Sequence, residues 1–428
     1  MASQTDRARG AAVALLNGVL DEGLTLGELT GEVGPLTDLD GPDRARAQRL
    51  ATMTLRHLDR ADAMLKPLMR RPPPMPVRNV LRLAVCELFV NGAAPHGVVN
   101  TAVNLLRADR KGQAMAGMAN AVLRKLGDAD PADWAKLPPQ KLPGWLRGRL
   151  DSQYKRAIVT AIEEAHAMGA PLDLTPRGGK AAELAERLGG TMLPTGSVRL
   201  RDPGQVSTLP GYETGDWWVQ DAAAALPARI LNPAKGEVVF DLCAAPGGKT
   251  LQLADAGAKV TAVDVSADRM ERVAENLSRM GLTAETVTAD VLTWEPPAPA
   301  DAILLDAPCS ATGTIRRHPD LPFAKTAKGI KPLFALQAQM IDRAVALLRP
   351  GGRLVFCTCS LLAEEGEAQL SAALERHADL SVTPDALALP GIDPAWIDDL
   401  GGLRLRPDFW PDLGGMDGFY IASLRKAG

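Results

Sequence analysis

Two cysteines follow two strand-like segments of this 428-residue sequence, Cys309 in Asp306-Ala307-Pro308-Cys309-Ser310 and Cys359 in Thr358-Cys359-Ser360. Both lie downstream of a turn of small residues, Asp241-Leu242-Cys243-Ala244-Ala245-Pro246-Gly247-Gly248-Lys249-Thr250. The combination points to methyl transfer onto carbon 5 of a cytosine. That carbon is a poor nucleophile until a thiolate adds to C6, which makes C5 enamine-like and able to attack the methyl group of S-adenosylmethionine. The attacking thiol must later be expelled. A second thiol beside the first can assist that step, so a cysteine pair is more informative than one cysteine.

Two charged groups suit the same chemistry. Asp306, three residues before Cys309, can hydrogen-bond the N3/N4 edge of a cytosine and favour proton uptake as the thiolate adds. Lys249 can stabilise developing charge or lower a thiol pKa, its alternative being a helix-start lysine facing solvent. Cys86, Cys243 and Cys357 read as small packed residues.

In the turn, Ala244 to Gly248 let backbone N–H groups approach a ligand and aim the next helix N-terminus at an anionic group. Gly248-Lys249-Thr250 imitates the end of a Walker A loop, but that motif needs glycine where this chain has Cys243, which argues against a nucleotide triphosphatase. Asp264, 23 residues after Asp241, stands where a nicotinamide enzyme places its ribose-binding carboxylate. G-x-G-x-x-G is absent, however. A prolyl turn closed by paired glycines suits a methionine-sulfonium ligand with no pyrophosphate to cradle. Asp290, at the end of the third predicted strand, is then the expected adenine contact, its alternative being a turn residue.

These groups require a scaffold that brings strand ends together. From about Trp217 strands and helices alternate. Strands are predicted at Glu237–Asp241, Lys259–Asp264, Glu285–Asp290, Ala302–Asp306 and Gly352–Cys357, and helices at Thr250–Ala256, Ala267–Met280, Lys331–Leu348 and Glu364–His377. Four of the strands end on aspartate, along the carboxyl edge where open α/β sheets bind ligands. Leu403 to Leu424 reads as a closing antiparallel hairpin. From about Thr5 to Leu126 the apolar spacing is helical instead, as in Ala12, Leu15, Leu16, Val19 and Leu20. Between them, residues 145 to 215 suggest a small α/β connector with one helix at Leu150–Met168 and another at Lys180–Leu188.

Five cysteines without disulfide-like spacing suggest a reducing compartment. A zinc site is not expected, because the nearest pair, Cys357 and Cys359, is C-x-C in an apolar strand with no histidine beside it. Arg7 and Arg9 before Ala11–Leu20 resemble a secretory signal, but Asn17 and Gly18 interrupt the run and no small-x-small cleavage site follows. No stretch approaches a membrane span. The net charge of −3 conceals an asymmetry: residues 1–150 carry 21 Lys and Arg against 15 Asp and Glu, leaving 27 against 36 in the remainder. The basic surplus lies in the helical front end, where Arg44, Arg46, Arg49, Arg56, Arg60, Arg70, Arg71, Arg78 and Arg82 form either a solvated surface or a phosphate-contacting face.

With these residues assembled, the chain resembles, over nearly its whole length, the Fmu/Sun (RsmB) family of bacterial small-subunit rRNA cytosine-5 methyltransferases. D-x-C-A-A-P-G-G-K-T, D-A-P-C-S-x-T-G and T-C-S carry the resemblance. The front end is similar to a NusB-type RNA-binding domain through the weaker matches Val98-Val99-Asn100-x-x-Val103 and Ala119-Asn120-Ala121-Val122-Leu123-Arg124. Ile315 to Asp320 looks like the family's loop after the fourth strand, while Leu321 to Lys331 lacks the expected tryptophan-rich continuation.

The resemblance implies an α/β Rossmann-like class I S-adenosylmethionine-dependent methyltransferase domain at 217–428, preceded by an all-α NusB-like domain at 1–130 and a small α/β connector at 145–216. It implies that Cys243, Ala244, Ala245, Pro246, Gly247, Gly248, Lys249, Asp264, Asp290 and Asp306 bind the cofactor. The residues alone leave the two thiols unordered, since DNA cytosine-5 methyltransferases attack from the Pro-Cys position. The family implies Cys359 as nucleophile and Cys309 as the thiol that assists release. The implied partner is 16S rRNA, free or within an assembling small ribosomal subunit, with no DNA, metal or membrane, for a monomer in the cytoplasm. Two rivals remain: the same chemistry on tRNA or another rRNA site, and an RNA-binding assembly factor with a vestigial methyltransferase domain. Intact Cys309, Cys359, Asp306 and Lys249 argue against the second.

Overall fold

The computed structural model describes residues 4–31 and 33–428, and the chain divides into two compact units. The first runs to Gly169 and also takes in Ile315–Thr326; the second comprises Ala170–Thr314 and Ala327–Gly428.

The first unit is helical. Its principal helices are Gln4–Leu20, Gly41–Arg56, Leu58–Leu65, Met75–Phe89, Pro95–Ala108, Ala116–Gly127, Gly144–Gln153 and Arg156–Met168. Asp40 starts the second of these by accepting the Asp43 N–H at 3.0 Å, with Pro42 in the first turn, where its missing donor costs nothing. Met75–Phe89 is the central element, burying Val77, Leu81, Ala84 and Val85. Its buried Glu87 is compensated by Arg9, whose Nε lies 2.8 and 2.9 Å from the two carboxylate oxygens.

Several front-end arginines are spent inside this unit. Arg78 and Arg82 both bind Asp62, Arg60 donates to the Pro138 carbonyl, Arg44 to that of Leu36, and Arg56 to that of Arg316 at 2.7 Å. Arg49, Arg70 and Arg71 are exposed. The segment after the fourth predicted strand is also held here: Asp320 accepts the Leu26 N–H at 2.8 Å, and Phe323 packs on the helical core. The single helix expected at Leu150–Met168 is two, because Tyr154 and Lys155 adopt extended backbone and the Tyr154 N–H closes the earlier helix on Leu150.

The second unit contains two sheets. The smaller is antiparallel, with β1 (Leu172–Pro176), β2 (Thr191–Met192), β3 (Val198–Leu200) and β4 (Trp217–Val219) in the order β2-β3-β1-β4. Trp217, read as the start of the strand–helix alternation, therefore belongs to the small sheet, where its ring is fully buried. Asp173 and Arg199 form a buried pair at 2.6 Å, and Arg199 also donates to the carbonyls of Leu413 and Gly415.

The larger sheet contains β5 (Val238–Leu242), β6 (Lys259–Asp264), β7 (Glu285–Thr288), β8 (Ala300–Asp306), β9 (Leu348–Thr358), β10 (Leu380–Val382), β11 (Leu403–Leu405) and β12 (Phe419–Lys426). Its order is β10-β12-β9-β8-β5-β6-β7, with β11 on β12. Strands β5 to β9 run parallel and β12 lies antiparallel to β9. The order reverses between β5 and β8, which opens a crevice at their carboxyl ends.

The helix Ala267–Met280 shows why this layering forms. Ser266 caps its start, Gly281 ends it in the left-handed region, and Met270, Val273, Leu277 and Met280 line its buried face at helical spacing. Among the described residues no helix is long and apolar enough to cross a membrane.

Candidate active site

Parallel register brings the two thiols together. Asp306, the last residue of β8, pairs with Cys357 of β9, so the chain segments carrying Cys309 and Cys359 leave adjacent strands at one edge. Their Sγ atoms lie 3.4 Å apart. Both residues are partly exposed, whereas Cys86 and Cys357 are buried. The hydrogen bond to Cys359, reinforced by burial, holds the Cys309 thiol protonated well above its ordinary range.

Two backbone contacts lock the loops. Gly313 N–H donates to the Cys359 carbonyl at 2.9 Å, and Gly418 N–H to the Gly313 carbonyl at 2.8 Å. A Cβ on Gly313 would come within 1.9 Å of the Gly418 oxygen, so the glycine of D-A-P-C-S-A-T-G is required by close approach of another backbone.

Beside the thiols Lys249 Nζ meets Asp306 Oδ2 at 2.6 Å and stands 5.6 Å from the centre of the Phe419 ring. Burial disfavours the ammonium, but the acidic groups around it, Asp306 foremost, together raise the Lys249 pKa. Lys249 is thus a buried ion-pair partner, not a solvent-facing lysine. The other Asp306 oxygen accepts the Cys357 thiol at 3.5 Å, and the side chain keeps 28% of its surface exposed.

The turn after β5 is built as its composition suggests. Cys243 has φ 63°, the Ala245–Pro246 bond is cis, and Gly247, at φ 102°, starts the helix Gly248–Asp255 while lying against Val273. Cys243 is packed beside Met340, and burial pushes its thiol pKa up.

The four strand-end aspartates divide. Asp264, the last residue of β6, is 2% exposed and accepts the N–H groups of Ala245 and Ser266 at 3.2 and 3.0 Å. Asp241 is fully buried beneath the next helix, with one oxygen bound by Thr250 at 2.6 Å, and burial pushes its carboxyl up to about 7. It is a structural group, not part of an open edge. Asp290 lies two residues beyond β7 and not within it; it is exposed and accepts the Leu292 N–H at 3.0 Å. Sequence reasoning missed two neighbours: Arg269, donating to the Ala245 carbonyl at 2.6 Å, and buried Glu365 behind the cysteine loops. The register of Ser266-Ala267-Asp268-Arg269 on an otherwise well-read helix was the only signal for Arg269.

Residues 228–425 match a family described as 16S rRNA methyltransferase RsmB/F, and residues 6–128 match the NusB family. Ribosomal RNA small subunit methyltransferase B of Sodalis glossinidius is 37% identical, with 95% of each chain covered. The protein of that name in Xanthomonas campestris is 35% identical over the whole of both chains. Among solved structures, a methyltransferase homologue from Pyrococcus horikoshii is 28% identical with a TM-score of 0.55, covering 67% of this chain and 100% of that one. The helical front end is accordingly a NusB domain, the sheet with its reversal between β5 and β8 is a Rossmann-like methyltransferase fold, and the chain belongs to the RsmB/F family of 16S rRNA methyltransferases.

Proposed function

We propose that this protein methylates C5 of a cytosine in 16S rRNA through a covalent adduct between Cys359 and C6. The observation that carries the reading is the 3.4 Å contact between Cys309 and Cys359 beside the Lys249–Asp306 pair. At that separation one sulfur can attack while the other stands next to it to assist release.

S-adenosylmethionine, when bound, supplies the methyl group. The donor set suits it: Asp264 and Asp290 offer carboxylates to hydroxyl and amino groups, and an acidic edge favours a sulfonium cation over a pyrophosphate. The small residues Ala244 to Gly248 bring backbone close to the ligand.

The target base must leave its stack to reach both thiol and methyl group. Cys359 adds to C6, and Asp306 hydrogen-bonds the N3/N4 edge and favours proton uptake there. Lys249 fixes Asp306 in that orientation. After methylation, solvent takes the C5 proton, and the electron pair it leaves re-forms the C5–C6 double bond and expels the Cys359 sulfur as a thiolate, which restores the aromatic ring. Cys309, next to the departing sulfur, hydrogen-bonds to it as it leaves.

In the helical unit, exposed Lys66, Arg70, Arg71 and Lys141 line one cleft and make no ion pair among the described residues. They supply phosphate contacts for the RNA. Bisulfite mapping of 16S rRNA from cells lacking the gene tests the whole reading: one cytosine loses its protection and regains it on complementation. Unchanged protection at every cytosine would refute it.

A further inference from the structure

We infer that Glu365 is the positioning residue for the cysteine pair, a single buried carboxylate that holds the Cys309 and Cys359 loops in mutual register. It touches neither sulfur. Its Oε1 accepts the Ser310 N–H at 2.9 Å and the Gln337 Nε2 at 3.1 Å; its Oε2 accepts the Ser310 and Ser360 hydroxyls, each at 2.5 Å. Ser310 follows Cys309 and Ser360 follows Cys359, so one side chain ties together the residues next to both thiols.

The surrounding bonds serve the same two loops. The Thr358 hydroxyl donates to the Glu365 carbonyl at 2.8 Å, which fixes the other side of Cys359, and Gln337 donates to the Pro308 carbonyl at 2.8 Å, which fixes the other side of Cys309. Thr312 closes the hydroxyl cluster, lying 3.2 Å from both Ser310 and Ser360 and accepting the Leu361 N–H at 3.0 Å. Glu365, Ser310, Ser360, Gln337 and Thr358 are all 0% exposed.

Burying a carboxylate is costly unless donors surround it, and hydrogen bonds to an ionised acceptor are roughly twice as strong as neutral ones. Three such bonds from the two loops, with a fourth from Gln337, make the carboxylate a stiff splice. Catalytic groups must be held to within about 0.5 Å, and a displacement of about 1 Å costs on the order of 100-fold in rate. The sulfur separation therefore depends on Glu365 although neither thiol touches it.

The catalytic part of this inference rests on the proposed reading, so the primary test does not use RNA. Phenylarsine oxide bridges two thiols whose sulfurs are already close, forming two As–S bonds with release of water. Titration of the full-length protein, with Cys309→Ala as the background for the other cysteines, measures how well the pair is preset. Glu365→Ala is expected to weaken bridging by about tenfold or more, while Glu365→Gln, which keeps the shape and an acceptor for the Ser310 N–H, rescues most of it. In methyl transfer Glu365→Ala then lowers kcat with little change in S-adenosylmethionine affinity.

Should Glu365→Ala fail to fold, Ser360→Ala removes one of the splicing bonds and is expected to weaken bridging by about threefold, by the same displacement argument. Bridging as tight in folded Glu365→Ala as in the unaltered protein, with kcat unchanged, would overturn the inference. Weakened bridging in a protein that methylates no RNA would uphold it and reject the catalytic reading instead.

Discussion

Lys249 Nζ and Asp306 Oδ2 lie 2.6 Å apart, joining the helix that follows β5 to the end of β8 across the crevice where the sheet order reverses. The Lys249 side chain is 11% exposed and that of Asp306 28%. Removing the carboxylate strands a buried cation, whereas removing the cation leaves an acid that water can reach. Asp306→Asn should therefore cost more stability than Lys249→Met, between the about 1 kcal/mol of an exposed pair and the about 3–5 kcal/mol of a broken buried one. Urea denaturation of both variants measures this, and equal losses would contradict the assignment of Lys249 as the more dependent partner.

Asp241 predicts a pH dependence of opposite sign to that of most carboxylates. Its folded pKa is raised to about 7 by burial, above the roughly 3.9 of an unfolded aspartate. The folded state thus holds a proton that the unfolded state releases, so this group's contribution to stability falls as pH rises from about 4 to about 7 and is flat beyond. Asp241→Asn should remove that slope. Denaturation midpoints at pH 5 and pH 8 test it: the variant gains on the unaltered protein at the higher pH, and an unchanged difference would contradict the prediction.

Asp264 and Asp290 should respond differently to truncation. Asp290 is exposed, so Asp290→Ala is expected to weaken S-adenosylmethionine binding by roughly 1.5–3 kcal/mol, the value of a hydrogen bond to a charged group, without destabilising the fold. Asp264 also holds the Ala245 and Ser266 N–H groups, so Asp264→Ala should lose both affinity and stability. Calorimetry of binding and unfolding separates them. Full affinity in both variants would remove these carboxylates from the cofactor site.

Lys66, Arg70, Arg71 and Lys141 offer the most direct test of the helical unit. Replacing Arg70 and Arg71 by alanine should weaken RNA binding at low salt and reduce the salt slope by about one for each phosphate that is no longer neutralised. Filter binding at several salt concentrations reads both quantities. An unchanged slope would place the RNA face elsewhere on the unit.

The parts of the fold set by local patterning could be read from the residues. Lys259–Asp264 and Ala267–Met280 have the predicted limits because a cap, a period and a terminating glycine agree there. Other features depended on tertiary context. Tyr154-Lys155 carries no proline or glycine to signal that one helix is two, and Trp217-Trp218-Val219 pairs with β1, 41 or more residues earlier, which no local pattern encodes. The adjacency of the two thiol motifs was legible because each follows the end of a strand in one parallel sheet. Glu365 was not, since a glutamate in Leu362-Ala363-Glu364-Glu365-Gly366 looks like a solvated turn until β8 and β9 bring Ser310 and Ser360 to it.

The aspartates teach the same distinction. All four stand near strand ends in the sequence, yet Asp241 points under a helix and Asp290 lies in the turn beyond β7. Position along a strand is written in the sequence, but exposure is decided by what packs over the strand end.

The roles of the two thiols are the central claim, and a denaturing gel with labelled RNA tests them most directly. Cys359→Ala should form no adduct, so methylation and covalent capture of RNA carrying 5-azacytidine are both lost. Cys309→Ala should still attack while release fails, accumulating on ordinary RNA a slow-migrating covalent complex that requires S-adenosylmethionine. Covalent capture retained by Cys359→Ala and lost by Cys309→Ala would contradict the account and assign the attack to Cys309.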